Sequence, residues 1–233
     1  MNIDKCNALR ALGFRYITRN MNGDVIAWKN EPKRSLTVVE GYEKEAEIEY
    51  PDAVIYDVET EKDEECYKYI GGYNIDFCCF SRASYDNQDS SILHISKLDA
   101  DYADITWKNS PYNLGNSLEV SKEEKFQALK TLGFNYLTRD MDGKCQAWVI
   151  KPVRIVTILR EFLNDYANKF KDADLRIEEE QDEDDEYVNG YHVYYCSFQC
   201  SRGDKGWFYN NYTLDTKDTD FAGILWENEP YEL

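Results

Sequence analysis

The residues with the clearest chemical character form one run at positions 178–186, where eight of nine side chains are carboxylates. These acids are Glu178, Glu179, Glu180, Asp182, Glu183, Asp184, Asp185 and Glu186. In an extended chain, at about 3.3 Å per residue, they would present one charge every ~3.7 Å. A single DNA strand presents one phosphate about every 3.4 Å. The spacing therefore predicts a segment that imitates a nucleic-acid backbone and occupies the basic groove of a partner protein.

The whole sequence shares this acidity. It has 45 acidic and 27 basic residues, a formal net charge of -18, and the halves 1–118 and 119–233 carry -8 and -10. Such a field repels nucleic acid and anionic membranes and attracts basic proteins. Two interpretations stay open: an ordered binding surface, or a solvated loop in a protein whose charge keeps it soluble, because blocks of like charge are commonly disordered.

Two pairs of aspartates recur in both halves, at Asp99-x-Asp101 and Asp218-x-Asp220. Paired carboxylates can hold Mg²⁺ or Mn²⁺. Acids that flank a turn more often accept hydrogen bonds from the turn backbone. We therefore expect a structural role, and a metal-dependent enzyme using Asp101 and Asp220 is the third of three functional hypotheses.

Other catalytic signals are weak. The two histidines, His94 and His192, lie at non-equivalent places in the two halves, and no nucleophile, Walker or zinc-protease motif is present in the sequence. The seven cysteines lack the spacing of a zinc site. Arg19 and Arg139 are predicted to pair with a local carboxylate. The sequence thus predicts no catalytic residue, no metal and no cofactor.

One aromatic segment belongs to the second half alone. The sequence SRGDKGWFYNNY at 201–212 does not resemble its counterpart in the first half. Tryptophan and tyrosine are favoured anchors in protein interfaces. We therefore predict that Trp207 and Tyr209 join the acidic run in binding the partner.

These residues are carried by a duplicated framework. The stretch Leu9–Trp28 recurs at Leu129–Trp148, and later segments recur at nearly the same shift, as in ITWKNSPYNL at 105–114 and ILWENEPYEL at 224–233. Each copy is long enough to bury a core of its own. We predict two domains, 1–118 and 119–233, each an α+β unit of a mostly antiparallel sheet with two helices, arranged about a pseudo-twofold axis.

Within each copy the pattern predicts a first helix, over Ile3–Leu12 and 122–132, closed by a glycine. Ser121 and Glu124 form a capping box. An Asn-Gly or Asp-Gly hairpin follows. The next segment alternates like a strand in the first copy but has helical spacing over 156–170 in the second, so a helix is predicted for both. Strands are predicted at 54–58, 73–80, 92–98 and 105–107. The core is predicted to contain the repeated tryptophans Trp28, Trp107, Trp148 and Trp226.

The phrase Leu-Gly-Phe-x-Tyr-[Ile/Leu]-Thr-Arg-[Asn/Asp]-Met-[Asn/Asp]-Gly, followed by Ala-Trp and a proline, resembles small proteins carried by phages and mobile elements of Gram-positive bacteria. The resemblance covers some 25 residues of each copy. That group includes anti-CRISPR and anti-restriction inhibitors, so the resemblance implies a phage protein of that class. It brings no active site with it.

Together these observations predict a non-enzymatic acidic inhibitor of a CRISPR nuclease or restriction enzyme that acts by charge mimicry. It would contact a basic protein, without binding nucleic acid directly. The alternative is an immunity or antitoxin-type protein that neutralises a toxin by shape-specific binding. The N-terminal residues lack the apolar run of a signal peptide and no stretch reaches membrane-spanning length, so a cytoplasmic location is expected.

Overall fold

The structure is a computed structural model that describes residues 1–81, 91–96, 98–171, 173–181, 183–200, 211–215 and 218–233. The chain packs into two compact units, Met1–Ala128 (unit 1) and Leu129–Leu233 (unit 2). The helices are α1 (Ile3–Ala11), α2 (Glu43–Glu49), α3 (Lys122–Thr131) and α4 (Leu163–Lys169). The boundary between the units falls inside α3, whose sequence corresponds to that of α1.

The strands before α3 are β1 (Tyr16–Arg19), β2 (Val25–Trp28), β3 (Lys33–Val39), β4 (Val54–Glu59), β5 (Tyr69–Ile70), β6 (Tyr73–Asn74), β7 (Cys79–Ser81), β8 (Ile92–Ile95) and β9 (Tyr112–Asn113). Those after α3 are β10 (Tyr136–Arg139), β11 (Cys145–Trp148), β12 (Val153–Leu159), β13 (Asp174–Glu178), β14 (Tyr187–Val188), β15 (Tyr191–His192), β16 (Ser197–Gln199), β17 (Asn211–Leu214) and β18 (Tyr231–Glu232).

Both units build the same two sheets. The first sheet has the order β8-β2-β1-β9 in unit 1 and β17-β11-β10-β18 in unit 2. The second has the order β4-β3-β6-β5, with β7 also on β3, and β13-β12-β15-β14, with β16 also on β12. Every strand pair in the described residues is antiparallel except β3–β4 and β12–β13. The predicted α+β class and the similarity of the two units are confirmed.

The parallel pair corrects the predicted helix. Residues 33–39 and 153–159 are strands, and the helices α2 and α4 begin only at Glu43 and Leu163. Each helix is the crossover that a parallel pair needs, so the segment is a β-α-β unit. The apparent helical period of 156–170 arose because buried strand residues, such as Val156 and Ile158, run directly into a helix with its own apolar face.

Two predicted strands are also revised. The predicted strand 73–80 is divided into β6 and β7 by a turn in which Cys78 N donates to Asn74 O over 2.9 Å. The predicted strand 105–107 is a turn, in which Ile105 N donates to Tyr102 O over 3.1 Å. Ile105 and Trp107 are buried all the same. The alternating apolar pattern therefore predicted correctly that these residues are buried, but it did not predict correctly that they pair as strands.

The ends of the first helices follow the prediction. In α1, Phe14 N donates to Leu9 O over 2.9 Å and Gly13 N to Arg10 O over 3.1 Å, which is the Schellman pattern. The same two bonds occur after α3. Gly13 has φ +90°, a left-handed conformation that favours glycine. The capping box is confirmed as well, because Ser121 N donates to Glu124 Oε2 over 2.8 Å and Glu124 N donates to Ser121 Oγ over 3.3 Å.

Matched arginines bind each hairpin to the loop between the last two strands of the first sheet, β8 and β9 in unit 1 and β17 and β18 in unit 2. Arg19 donates to three carbonyl oxygens, of Ile105 over 2.6 Å, Gly23 over 2.8 Å and Tyr102 over 3.0 Å. Arg139 makes the equivalent bonds to Ile224, Gly143 and Phe221 over 2.7, 2.6 and 3.0 Å. The expected pairing with a carboxylate is therefore replaced by three backbone contacts. A guanidinium can make all three at once because its donors form a planar fork.

The repeated tryptophans lie in the cores, as predicted. Trp28 and Trp148 are buried, and each indole N–H donates over 2.8 Å to the threonine ten residues earlier, Thr18 or Thr138. Trp107 and Trp226 pack against the second sheet of their own unit. Trp107 contacts the rings of Tyr50 and Phe80 at edge-to-face angles.

Candidate protein-binding surface

The negative charge of the chain is concentrated at one equivalent place in each unit. Residues 40–65 hold 12 acidic and two basic residues, and residues 160–186 hold 12 acidic and four basic residues. The rest of the chain holds 21 of each sign, so these two segments account for the whole net charge of -18. We call each segment the acidic edge of its unit. It comprises the crossover helix, the strand that follows it and the loop after that strand.

The topology places each acidic edge at a border of the second sheet. Strand β4 is the terminal strand of its sheet and, within the described residues, pairs only with β3. Strand β13 has the same position beside β12. All residues of β4 are exposed or half-buried. An exposed terminal strand also presents unpaired backbone N–H and C=O groups to solvent.

Apolar side chains are exposed among these acids. In unit 1 the exposed fractions are 82% for Ile48, 77% for Tyr56 and 49% for Val54. In unit 2, Leu175 and Ile177 on β13 are exposed as well. Exposed apolar residues bordered by charge are typical of protein interaction sites. The acidic edges therefore combine charge, apolar area and an open strand.

The acidic run at 178–186 is not one extended strand. Strand β13 ends at Glu178, the chain bends at residues 179–180, and a turn contains Glu183 and Asp184. The spacing of about one charge per phosphate that an extended chain would give is therefore not realised. The physical reason is that some of these carboxylates are drawn to partners within unit 2.

Four acids of the run make such contacts. Glu179 forms a bidentate ion pair with Arg160. Glu178 accepts a hydrogen bond of 2.6 Å from the Tyr187 hydroxyl. Asp185 Oδ2 lies 3.0 Å from Nε2 of the buried His192, an ion-pair distance without hydrogen-bond alignment.

The fourth, Glu186, accepts a 3.5 Å hydrogen bond from the Tyr194 hydroxyl and stays exposed, as do Glu180, Glu183 and Asp184. The Arg160 guanidinium lowers the pKa of Glu179, which therefore keeps its charge. Asp182, Trp207 and Tyr209 lie outside the described residues. The structure thus brings most of the predicted acids together on one edge of unit 2, as a folded patch.

The sequence prediction placed all partner-binding residues in unit 2, although an acidic segment, ETEKDEE at 59–65, also stands at the equivalent place in unit 1. No run there is as dense as 178–186, because the acids are spread over α2, β4 and the following loop. A count of charge over equivalent windows of the two copies would have found the matching surface of unit 1.

The aspartate pairs have the structural role expected of them. Asp99 Oδ1 accepts a 3.0 Å bond from Asp101 N, and Asp218 Oδ1 accepts one of the same length from Asp220 N. Each pair begins a short 3₁₀ turn. Lys5 Nζ lies 2.6 Å from Asp99 and 2.8 Å from Asp101, and this ion pair lowers the pKa of Asp101. In the described residues, no group of His, Cys, Asp and Glu is arranged to hold a metal ion.

Comparisons with protein-family models, curated proteins and solved structures found no match. Within the described ranges, no helix is both long enough and apolar enough to cross a membrane.

Proposed function

We propose that this protein is a non-enzymatic inhibitor that binds a basic, nucleic-acid-handling protein through its acidic edges. The observation that carries this proposal is the placement of the whole net charge, -18, on the same edge of both units. Charge that served solubility alone would not need to be concentrated on one edge of each unit.

The acidic edge has the properties that such a contact requires. Its carboxylates attract a cationic surface and raise the rate of association. Ile48 and Tyr56 supply apolar area that a complex can bury. The backbone of β4 can add a partner strand, a common mode of peptide recognition.

The proposed partner is a CRISPR nuclease or a restriction enzyme, because the acidic patch would compete for the groove that receives nucleic acid and because of the resemblance to phage proteins. The mimicry takes the form of a folded patch of charge in place of a linear row. On this proposal the protein acts in the cytoplasm of the host cell. The pseudo-twofold arrangement of the two units stays a prediction of the repeat.

The proposal is tested by binding of the full-length protein to a panel of purified CRISPR nucleases and restriction enzymes, measured by biolayer interferometry. We expect one class of nuclease to bind and DNA or guide RNA to compete for the same site. The affinity should fall steeply as salt is added, because the contact is electrostatic.

Charge-reversal variants locate the contact. One variant changes Glu45, Glu47, Glu64 and Glu65 to lysine, and a second changes Glu180, Glu183, Asp184 and Glu186. The matched control changes four exposed acids outside the acidic edges, Glu119, Glu123, Glu227 and Glu232. We expect at least one edge variant to lose tenfold or more in affinity, and the control to lose much less. Equal losses in all three variants would rule out a localised contact.

The immunity or antitoxin-type function is the alternative, and the exposure of Ile48 and Tyr56 favours it. A shape-specific contact would be weakened more by Tyr56→Ala and Ile48→Ala than by charge reversal, and it would depend little on salt. The metal-dependent enzyme is tested by titration calorimetry with Mg²⁺ and Mn²⁺. We expect no binding heat, because Asp101 is already paired with Lys5.

A further inference from the structure

Each unit contains a cavity at the same place in its fold. Pro32, Arg34 and Pro111 line the cavity of unit 1, about 450 Å³ in volume. Their counterparts Pro152, Arg154 and Pro230 line that of unit 2, about 370 Å³. Both volumes are in the range of small-molecule sites. The duplication has therefore preserved a cavity with a buried arginine in its wall.

The arginine of unit 2 is held among aromatic rings. Arg154 is 93% buried, and its guanidinium carbon lies 4.4 Å from the ring centre of Phe170, 4.7 Å from Trp226 and 4.9 Å from Phe198. Arg34 has the same surroundings in unit 1, 4.4 Å from Tyr50 and 4.5 Å from Trp107. Aromatic faces attract a cation, but they leave its N–H groups without acceptors.

Both guanidinium groups have more N–H donors than the described residues accept from. Arg154 donates to Trp226 O and Asn228 O, each over 2.5 Å. Arg34 donates only to Ser110 O, over 2.7 Å, and its Nε and Nη1 are buried without a partner among the described residues. Because a guanidinium has five N–H donors, these bonds leave three unused on Arg154 and four on Arg34 within the described part of the chain. Burial lowers the pKa of both groups, although carboxylates partly oppose this, Asp52 and Glu49 for Arg34 and Glu229 and Glu227 for Arg154.

The rims of the two cavities differ in charge. Among the described residues, Lys151, Lys169 and Lys171 line the cavity of unit 2 together with one acid, Glu229. The equivalents of the three lysines in unit 1 are Glu31, Glu49 and Pro51, and the charged residues that line the unit 1 cavity beside Arg34 are Glu31, Asp52 and Lys33. The unit 2 cavity is thus a site lined by four cations in a protein of net charge -18. Phe170, Phe198 and Pro230 add apolar walls.

We propose that the unit 2 cavity is a binding site for a small organic anion, a phosphate or carboxylate with an apolar or aromatic body. The anionic group is bound by the three lysines and by the N–H groups of Arg154 that the described residues leave unused. The apolar walls pack against the apolar body of the ligand. This site takes Lys169 and Lys171 from the acidic edge of unit 2, but none of the described acids of that edge lines it. The unit 1 cavity, with acids at its rim, binds the same ligand more weakly.

The test is calorimetric titration of the full-length protein with three probes: inorganic phosphate, adenosine monophosphate and benzoate. We expect the organic anions to bind more tightly than inorganic phosphate because they also fill the apolar walls. Binding by adenosine monophosphate alone identifies a phosphate ligand, and binding by benzoate alone identifies a carboxylate ligand. If none of the three binds at millimolar concentration, the proposal is wrong.

The variant Lys151→Glu/Lys169→Glu places acids at two exposed rim positions of unit 2, as found at the equivalent sequence positions of unit 1. We expect it to weaken binding about tenfold or more, since two cations near the anion become acids. The control Lys122→Glu/Lys130→Glu makes the same charge change on exposed residues of α3. The reciprocal Glu31→Lys/Glu49→Lys should strengthen binding to unit 1. Equal weakening by the rim pair and the α3 pair would show a general charge effect and overturn the proposal.

Discussion

Arg19 and Arg139 donate to equivalent carbonyl groups in the two units, whereas their neighbours, Asn20 and Asp140, have diverged. Asn20 Oδ1 accepts a 3.0 Å bond from Phe80 N, and Asp140 Oδ1 accepts a 2.9 Å bond from Phe198 N. The bond is the same, but in unit 2 the acceptor can ionise.

The two units also differ in the residues around Asn20 and Asp140. In unit 2, Gln146 Nε2 donates to Asp140 Oδ2 over 2.7 Å, and Asn211 donates to Gln146. In unit 1 the position of Gln146 is Ile26, which is buried in an apolar core. The two cavity rims also differ in their ionisable residues, since Glu31 of unit 1 corresponds to Lys151 of unit 2. Contacts to the backbone were therefore kept after duplication, because both units need the same chain path. Ionisable side chains could differ, since the bond from the backbone of Phe80 or Phe198 needs only an acceptor oxygen.

The largest loss of stability should come from removing the arginine–carbonyl hydrogen bonds that both units share. Arg19→Ala and Arg139→Ala each leave three carbonyl oxygens without their charged donor. We expect each to lower the free energy of unfolding by about 3 kcal/mol or more, measured by urea denaturation. The control is Arg176→Ala, an exposed arginine of β13. A cost close to that of the control in either unit would contradict the equivalence of the two contacts.

A smaller change in the free energy of unfolding, one that depends on pH, should come from the difference between Asn20 and Asp140. Burial raises the pKa of Asp140 to about 6, although the bonds from Phe198 N and Gln146 oppose this rise. The folded state therefore binds the proton more tightly than the unfolded state, whose carboxyl has an ordinary pKa near 3.8. The stabilisation that protonation gives is complete below about pH 4 and is lost as the pH rises through about 6, a change of about 3 kcal/mol.

The variant Asp140→Asn should abolish this loss and raise the free energy of unfolding at pH 7 by up to about 3 kcal/mol, less the cost of reorienting Gln146. The reciprocal Asn20→Asp should give unit 1 the same dependence on pH. Urea denaturation at several pH values from 4 to 7 measures both. An unchanged pH profile in the Asp140→Asn variant would show that this carboxyl has an ordinary pKa in the folded protein.

The smallest effect concerns how the first helix of each repeat begins. Asn2 Oδ1 accepts from Asp4 N over 2.9 Å at the start of α1, whereas α3 uses the reciprocal pair of Ser121 and Glu124. We expect Ser121→Ala and Asn2→Ala each to destabilise the protein by about 1 kcal/mol, seen as a lower midpoint of urea denaturation. A Ser121→Asn variant should keep most of the stability. If it loses as much as Ser121→Ala, the cap is not what stabilises α3.

Local sequence signals predicted local structure well. The glycine after α1, the Asn-Gly hairpin and the capping box at Ser121 were predicted because each depends on only a few neighbouring residues. The repeat made these predictions stronger, since each was made twice. The strand of residues 33–39 was missed because the second copy was given more weight, and there the buried strand residues run directly into the apolar face of a helix.

By itself, the sequence determined the α+β duplication, the caps, the hairpins, the buried tryptophans and the excess of carboxylates, all of which follow from residue type and short spacing. Only the tertiary structure decided where those carboxylates lie. The parallel crossover sends α2 and β4 to the border of one sheet, and the equivalent segments of unit 2 to the border of another. It also decided that Arg34 and Arg154 are buried beside cavities, with guanidinium N–H groups that the described residues leave unused. Both outcomes depend on contacts between residues tens of positions apart, which neither composition nor periodicity records.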